Sequence, residues 1–216
     1  MPSENLAAGF CNLQHGDYIC SFVSGPSYQA GVLAPFMRES FARSERCVYI
    51  TDDNNLQQVS RFLSSYSIDV DEEQELGNLV LLNKWESREG RDFDADVMVV
   101  NVRKAMERAS EGGSRGLWVA VEMTWVLEPA IDVDKIVSWE DMWNDLISGL
   151  PVVLFCQYNV KRFDLALLRQ RATHPFLVYN SKIVHTSDHW RESQSKRFPR
   201  TPAEEADFGM LPGSVS

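Results

Sequence analysis

Short apolar runs alternate along this chain with longer segments in which apolar residues recur every three or four positions. Runs of four to six apolar residues without polar alternation predict strands that are buried on both faces. Five runs of this kind occur, at residues 18–23, 47–51, 79–82, 117–121 and 152–156. The pattern therefore predicts five strands that are covered on both sides.

The segments between these runs carry the apolar spacing of amphipathic helices. The predicted helices cover residues 33–41, 56–66, 94–110, 132–148 and 160–171. One segment differs, because five of the seven residues from Asp69 to Glu75 are acidic. Such a run is typical of a solvated loop, and we predict a loop there.

Strands that alternate with helices predict an α/β fold, in which a mainly parallel sheet carries helices on both faces. Two further short runs, 176–179 and 182–185, are separated by Asn180-Ser181 and predict a C-terminal antiparallel hairpin. A length of 216 residues favours one domain. Residues 1–11 are expected to be an N-terminal extension, and residues 191–216 a loose C-terminal tail.

Charge and composition narrow the possible partners. The 21 basic and 31 acidic residues give a net charge of −10, which argues against direct contact with nucleic acid. No apolar run reaches the ~18 residues of a membrane span, and residues 1–16 lack the basic residues of a secretory signal. Four cysteines without a CxxC pair are typical of reduced thiols. We expect a cytoplasmic protein without a metal site.

The turn after the first predicted strand is where a nucleotide-binding fold would place its phosphate loop. That loop needs the pattern GxxxxGK[ST], whose lysine neutralises the phosphates. Here five residues separate Gly25 from Gly31, Val32 stands where the lysine is needed, and the first lysine of the chain is Lys84. The sequence therefore predicts neither a lysine-dependent NTPase nor a bound cofactor.

A set of short motifs in a fixed order connects the chain to a known family. They are His15, Pro35-Phe36, the run from Ser44 to Ile50, Glu122-Met123-Thr124-Trp125, Cys156-Gln157-Tyr158 and His174-Pro175. Over about residues 12–190 the sequence resembles the MEDS domain, named for methanogen and methylotroph regulators and the regulator DcmR. Ser44 replaces the glycine that the family usually has there. The resemblance implies a single domain, 12–190, with a RecA/KaiC-like three-layer sandwich that lacks a functional phosphate loop.

The resemblance also implies a role in sensing small hydrocarbon derivatives such as one-carbon compounds. In parallel α/β sheets, ligands bind beyond the carboxyl ends of the strands. We therefore expect a small organic ligand to bind there. The candidate ligand-binding residues are His15, Glu122, Trp125, Cys156, Tyr158 and His174.

Each candidate also has a purely structural interpretation. Glu122 ends an apolar strand, so its carboxylate either bonds a ligand or holds a loop. Trp125 and Cys156 could equally pack in the core. The two histidines, Cys156 and Glu122 have the atoms of a metal site, but no short ligand spacing supports one.

Three functions remain open at this point. The favoured one is a nonenzymatic sensory domain in signal transduction. The alternatives are a degenerate ATPase-like scaffold that acts through protein–protein contacts, and an enzyme or nucleotide binder with a non-standard site. The sequence has no G-x-S-x-G, H-E-x-x-H or G-x-G-x-x-G motif to support the last. A signalling protein partner and a homo-oligomer are also expected.

Overall fold

A single seven-stranded sheet organises the protein in the computed structural model, which describes residues 3–52, 56–83, 95–127, 143, 147, 149–163, 174–179 and 182–185. The strand order is β3-β2-β4-β5-β1-β6-β7. All neighbouring strands are parallel except β6 and β7, which form the antiparallel hairpin expected at the C-terminal side. The strands are β1 Tyr18–Val23, β2 Arg46–Thr51, β3 Leu79–Asn83, β4 Leu117–Glu122, β5 Val152–Asn159, β6 Phe176–Tyr179 and β7 Lys182–His185.

Helices cover both faces of this sheet, which confirms the predicted α/β class. They are α1 Ser3–Cys11, α2 Pro26–Ala42, α3 Leu56–Ser64, α4 Val70–Glu75 and α5 Ala95–Glu111, with a 3₁₀ turn at Met123–Leu127. Buried side chains of α1 to α4 join the core on one face, and those of α5 join the core on the other. We call these the α2 face and the α5 face.

The alternation of side chains along each strand explains the two cores. In β4, Leu117, Val119 and Val121 belong to the core on the α5 face. Trp118 and Ala120, between them, belong to the core on the α2 face. Because both sets are buried, the strand has to be apolar at every position, as the sequence pattern indicates.

An aromatic cluster packs α2 against the sheet. The ring of Phe36 lies 4.8 Å from that of Trp118, 5.0 Å from that of Phe155 and 5.5 Å from that of Phe10, measured between centroids. Phe10 lies on α1, in the segment expected to be an extension. Together with Leu6 it is buried in the α2-face core, so α1 packs as part of the folded unit.

The acidic segment is a helix, and the prediction of a loop there was wrong. The Asp69 side chain accepts a hydrogen bond from the backbone N–H of Glu72 at 3.1 Å, which caps the N-terminus of α4. Acidic side chains in the first turn, at residues 71–73, are favourable beside the positive end of the helix dipole. The order of the charges, and not only their number, decides the structure.

Several predictions fall on residues outside the described part of the chain. They are most of the helices at 132–148 and 160–171, the turn at 180–181 and the tail at 191–216. Within the first of these, Trp143 and Ile147 are described, and both are helical and buried on the α5 face. No helix in the described ranges is both long enough and apolar enough to cross a membrane.

Candidate functional site

Three polar side chains stand side by side at the carboxyl ends of the central strands. Glu122 on β4 pairs in register with Gln157 on β5, and Gln157 pairs with Ser21 on β1. Each of the three is at most 2% exposed. Their neighbours on the same strands alternate toward the α5 face, so this polar row lies beneath α2.

Glu122 is held by three hydrogen-bond donors. Its Oε1 accepts from the hydroxyl of Tyr49 at 2.5 Å and from Nε2 of Gln29 at 3.0 Å. Its Oε2 accepts from the backbone N–H of Asp52 at 2.7 Å. A buried carboxylate is costly unless its oxygens are paired, and here both oxygens are. Glu122 thereby ties β4 to α2 and to the chain that follows β2.

Tyr49 is a fixed proton donor in this arrangement. Burial first, and the negative charge of Glu122 second, raise the pKa of its phenol well above 10. The hydroxyl therefore keeps its proton at any physiological pH. Its short bond to Glu122 is a charge-assisted hydrogen bond in which the phenol donates.

Two amides complete the site. Nε2 of Gln29, on α2, also lies 3.2 Å from Oε1 of Gln157 and 3.1 Å from the Tyr49 hydroxyl. Nε2 of Gln157 and Oγ of Ser21 are buried and have no hydrogen-bond partner among the described residues. Unsatisfied buried donors are uncommon in proteins, and such an atom points to a missing water or ligand.

A small cavity is lined in part by Gln157. Its volume is about 10 Å³, enough for one group the size of a water molecule. The lining residues are Val23, Gln29, Glu122, Thr124, Gln157 and Asn159. They come from the ends of three neighbouring strands, the chain after β4 and the first turns of α2. This is the location at which parallel α/β sheets bind ligands.

Four of the predicted site residues lie on the α5 face, away from this cavity. Trp125, Cys156, Tyr158 and His174 are all buried. Sγ of Cys156 lies 3.6 Å from the hydroxyl of Tyr18. The His174 ring lies 4.2 Å from the ring of Tyr18 and 5.8 Å from that of Tyr158. The rings of Tyr18, Tyr158 and His174 pack together, and the sheet separates this face from Glu122.

His15 lies at the amino end of the sheet. Its Nε2 is 2.9 Å from Oε1 of Glu45, whose Oε2 accepts a hydrogen bond from Nε1 of Trp118 at 2.6 Å. The six predicted residues therefore occupy three separate places. Within the described ranges, no three His, Cys, Asp or Glu side chains come together as a metal site.

The His15–Glu45 pair gives a first testable prediction. A Cβ at Gly116 would lie 2.9 Å from Oε1 of Glu45, and closer still to His15. Because Glu45 is buried and held by Trp118, it cannot move away freely. We expect Gly116→Ala to lower the free energy of unfolding by about 1–3 kcal/mol in urea titrations. Gly149→Ala, whose new Cβ meets no atom of the described residues within 4 Å, is the control and should leave stability nearly unchanged. Equal stability of the two variants would contradict the packing.

A larger cleft, of about 310 Å³, opens between α5 and the amino ends of β4 and β5. Arg103, Met106, Leu117 and Pro151 are among the residues that line it. Its two arginines, Arg103 and Arg115, are exposed. None of the buried unpartnered atoms lies in it, so the smaller polar cavity is the better candidate for a specific site.

Sequence reasoning missed Gln29 and Tyr49, and it named Gln157 in the motif Cys156-Gln157-Tyr158 without choosing it as a ligand-binding residue. One signal was available. Glu122 and Gln157 directly follow two predicted strands. Because side chains alternate between the faces of a sheet, Gln157 has to point away from Cys156 and Tyr158, as Glu122 points away from Val121. No local signal identifies Gln29, because its role depends on how α2 crosses the sheet.

Comparison with known proteins supports this description of the fold. Residues 17–175 match the model of a family described as "MEDS: MEthanogen/methylotroph, DcmR Sensory domain". A KaiC-like protein from the archaeon Pyrococcus horikoshii OT3 has a similar structure, with a TM-score of 0.54 and 11% identity, over 76% of this chain and 70% of that one. The flagellar accessory protein FlaH from Methanocaldococcus jannaschii gives a TM-score of 0.53 and 11% identity, over 82% and 76%. No curated protein matches the chain significantly. At this identity the two structures show the fold alone, which is RecA/KaiC-like as expected.

Proposed function

The chain belongs to the MEDS family of sensory domains, and we propose that it is a nonenzymatic sensor that binds a small organic ligand beside Glu122 and Gln157. This places the ligand at the carboxyl ends of β1, β4 and β5. Of the six residues expected from sequence, the proposal keeps Glu122. It adds Gln157, Gln29 and Tyr49, which surround that carboxylate.

The observation that carries the proposal is the buried, unpartnered Nε2 of Gln157 next to a cavity. Leaving a buried donor unsatisfied costs about 1–3 kcal/mol, which a ligand that accepts its hydrogen bond would recover. The cavity lies at the end of the sheet where ligands of parallel α/β proteins bind.

The hydrogen bonds of Glu122 favour binding over catalysis. A general base needs room for its substrate beside a lone pair, whereas Glu122 is buried and its hydrogen bonds hold it to Tyr49, Gln29 and Asp52. Cys47 is a poor nucleophile as well, because burial raises the pKa of its thiol to about 12.

The same hydrogen bonds offer a route for a signal. Gln29, in the first turns of α2, and Asp52, directly after β2, each donate a hydrogen bond to Glu122, and Gln29 also donates to Gln157, so a ligand bound to the Gln157 amide would act on this set of hydrogen bonds. A change in this set would alter the start of α2 and the chain after β2 together. A signalling protein partner would then recognise this edge of the sheet.

Thermal unfolding of the whole protein tests the proposal. We expect one or more members of a panel of short-chain compounds (alcohols, carbonyl compounds, methylamines, halomethanes and short acids) to raise the melting temperature, with no effect of Mg-ATP. A ligand at 100 times its Kd adds about 2.7 kcal/mol of stability, which shifts the melting temperature of a chain this size by roughly 5–10 °C.

A matched pair of variants locates the binding. Gln157→Met keeps the side-chain length but removes the donor, and should abolish the shift. Gln74→Met makes the same change at an exposed position on α4 and should keep it. A shift with Mg-ATP alone would favour the nucleotide-binding alternative. If the protein instead formed a stable complex with a signalling partner that no compound affected, the scaffold alternative would replace the sensor.

A further inference from the structure

We propose that the ligand of this cavity is a small neutral carbonyl compound, whose oxygen accepts a hydrogen bond from Nε2 of Gln157. The inference rests on the proposed function, since it assigns a chemical class to the ligand of the same site. It follows from the direction of the hydrogen bonds around Glu122 and from the charge and size of the cavity.

Glu122 sets the orientation of the Gln29 amide. Its Oε1 lies 3.0 Å from the Gln29 amide, and a carboxylate oxygen can only accept. If the Gln29 amide were turned over, its oxygen would face the carboxylate oxygen, which repels it. Gln29 therefore directs its nitrogen toward Glu122.

The orientation of the Gln29 amide then sets the orientation of the Gln157 amide. The Gln29 nitrogen also lies 3.2 Å from the Gln157 amide, where it needs an acceptor. Gln157 consequently directs its oxygen toward Gln29, and its nitrogen is left on the other side, without a partner among the described residues. The polar atom of Gln157 that has no partner in the described part of the chain is therefore a donor, so the ligand has to supply an acceptor.

Charge excludes the ionic acceptors. Glu122 lines the same cavity, and the lining contains no Lys, Arg or His. A carboxylate or phosphate ligand would therefore face a buried like charge without a counter-ion. An ammonium ligand has no lone pair, so it cannot accept from the Gln157 NH₂ group and would leave that buried donor unsatisfied.

The volume of the cavity and the hydrogen-bonding capacity of the ligand favour a carbonyl group among neutral acceptors. A volume of about 10 Å³ admits one oxygen atom, so the alkyl part of the ligand has to lie outside the cavity. A carbonyl oxygen accepts only, which suits a site that offers a donor. A hydroxyl group brings a proton that needs an acceptor of its own, whereas a carbonyl oxygen leaves no donor unsatisfied.

Four small compounds of similar shape test the inference on the whole protein: acetone, isopropanol, isopropylammonium and acetate. We expect acetone to raise the melting temperature, to bind at least about tenfold more tightly than the other three, and to lose about tenfold in affinity in Gln157→Met. Gln74→Met should bind like the wild type. The NMR signal of the Gln157 side-chain NH₂ group in the wild type should move with acetone and stay in place with the others, a readout that holds even if Gln157→Met folds poorly.

The results separate this inference from the proposed function. Tighter binding of acetate, isopropylammonium or isopropanol, with the same dependence on Gln157, would overturn the carbonyl assignment and leave the sensor site in place. If none of the four compounds moved the Gln157 signal, the cavity would hold an ordered water only, and the assignment and the site would both fall.

Discussion

Replacing Phe36 with alanine should lower the free energy of unfolding by about 3–5 kcal/mol, the cost of removing a fully buried aromatic ring. Phe36 is 0% exposed, and three rings surround it, those of Phe10, Trp118 and Phe155. These rings belong to α1, β4 and β5, so the cavity left behind would weaken the packing of α2 against α1 and against the sheet. Urea titration of the purified variant measures the effect.

Two further substitutions calibrate this result. Phe36→Leu fills most of the space and should cost less than about 1.5 kcal/mol. Tyr28→Ala removes a ring from the same helix at a position that is 39% exposed, and should change stability by less than about 0.5 kcal/mol. Were Phe36→Ala no more destabilising than Tyr28→Ala, the packing of α2 on the sheet would be incorrect.

Glu122→Leu should also cost about 3–5 kcal/mol, but for an electrostatic reason. The leucine fills a similar volume and takes the acceptor away from the buried Tyr49 hydroxyl and from the part-buried backbone N–H of Asp52, while the Gln29 amide loses one of its three contacts. Each unsatisfied donor costs about 1–3 kcal/mol, less whatever water can recover. Chemical denaturation measures this loss independently of any ligand.

A double-mutant cycle isolates the largest of these contacts. Tyr49→Phe removes only the hydroxyl that donates to Glu122 at 2.5 Å. We expect Glu122→Leu to be clearly less damaging in the Tyr49→Phe background, with a coupling energy of about 1 kcal/mol or more. Additive effects of the two substitutions would show that the phenol and the carboxylate do not interact in solution.

The two predictions bear on the same part of the molecule. The Phe36 cluster holds α2 on the sheet, and Gln29, two turns nearer the start of that helix, then reaches Glu122. A ligand at Gln157 would act on a helix that is anchored at its middle and adjustable at its beginning. Conservative changes in the aromatic cluster should therefore alter stability more than ligand preference.

The strands show how far the sequence pattern can be relied on. Residues 117–121 are apolar without interruption, and β4 is buried at every position. The helix at α4 shows where the pattern misled, since a count of charges ignores the cap that Asp69 provides. The candidate site shows both outcomes. Glu122 was recognised because a carboxylate at the end of a buried strand needs partners, whereas His15 was linked to a ligand site from which the length of the sheet separates it.

Periodicity along the chain was enough to predict the layered α/β fold and the C-terminal hairpin, and the cost of burying a charge indicated that Glu122 needs hydrogen-bond partners. The tertiary structure alone decided which residues surround that carboxylate. Strand order places β5 between β4 and β1. Because side chains alternate along β5, Gln157 lies on the α2 face, and Cys156 and Tyr158 lie on the α5 face. Gln29 and Glu122 are 93 positions apart in the chain, and they meet only because α2 packs across the ends of the central strands.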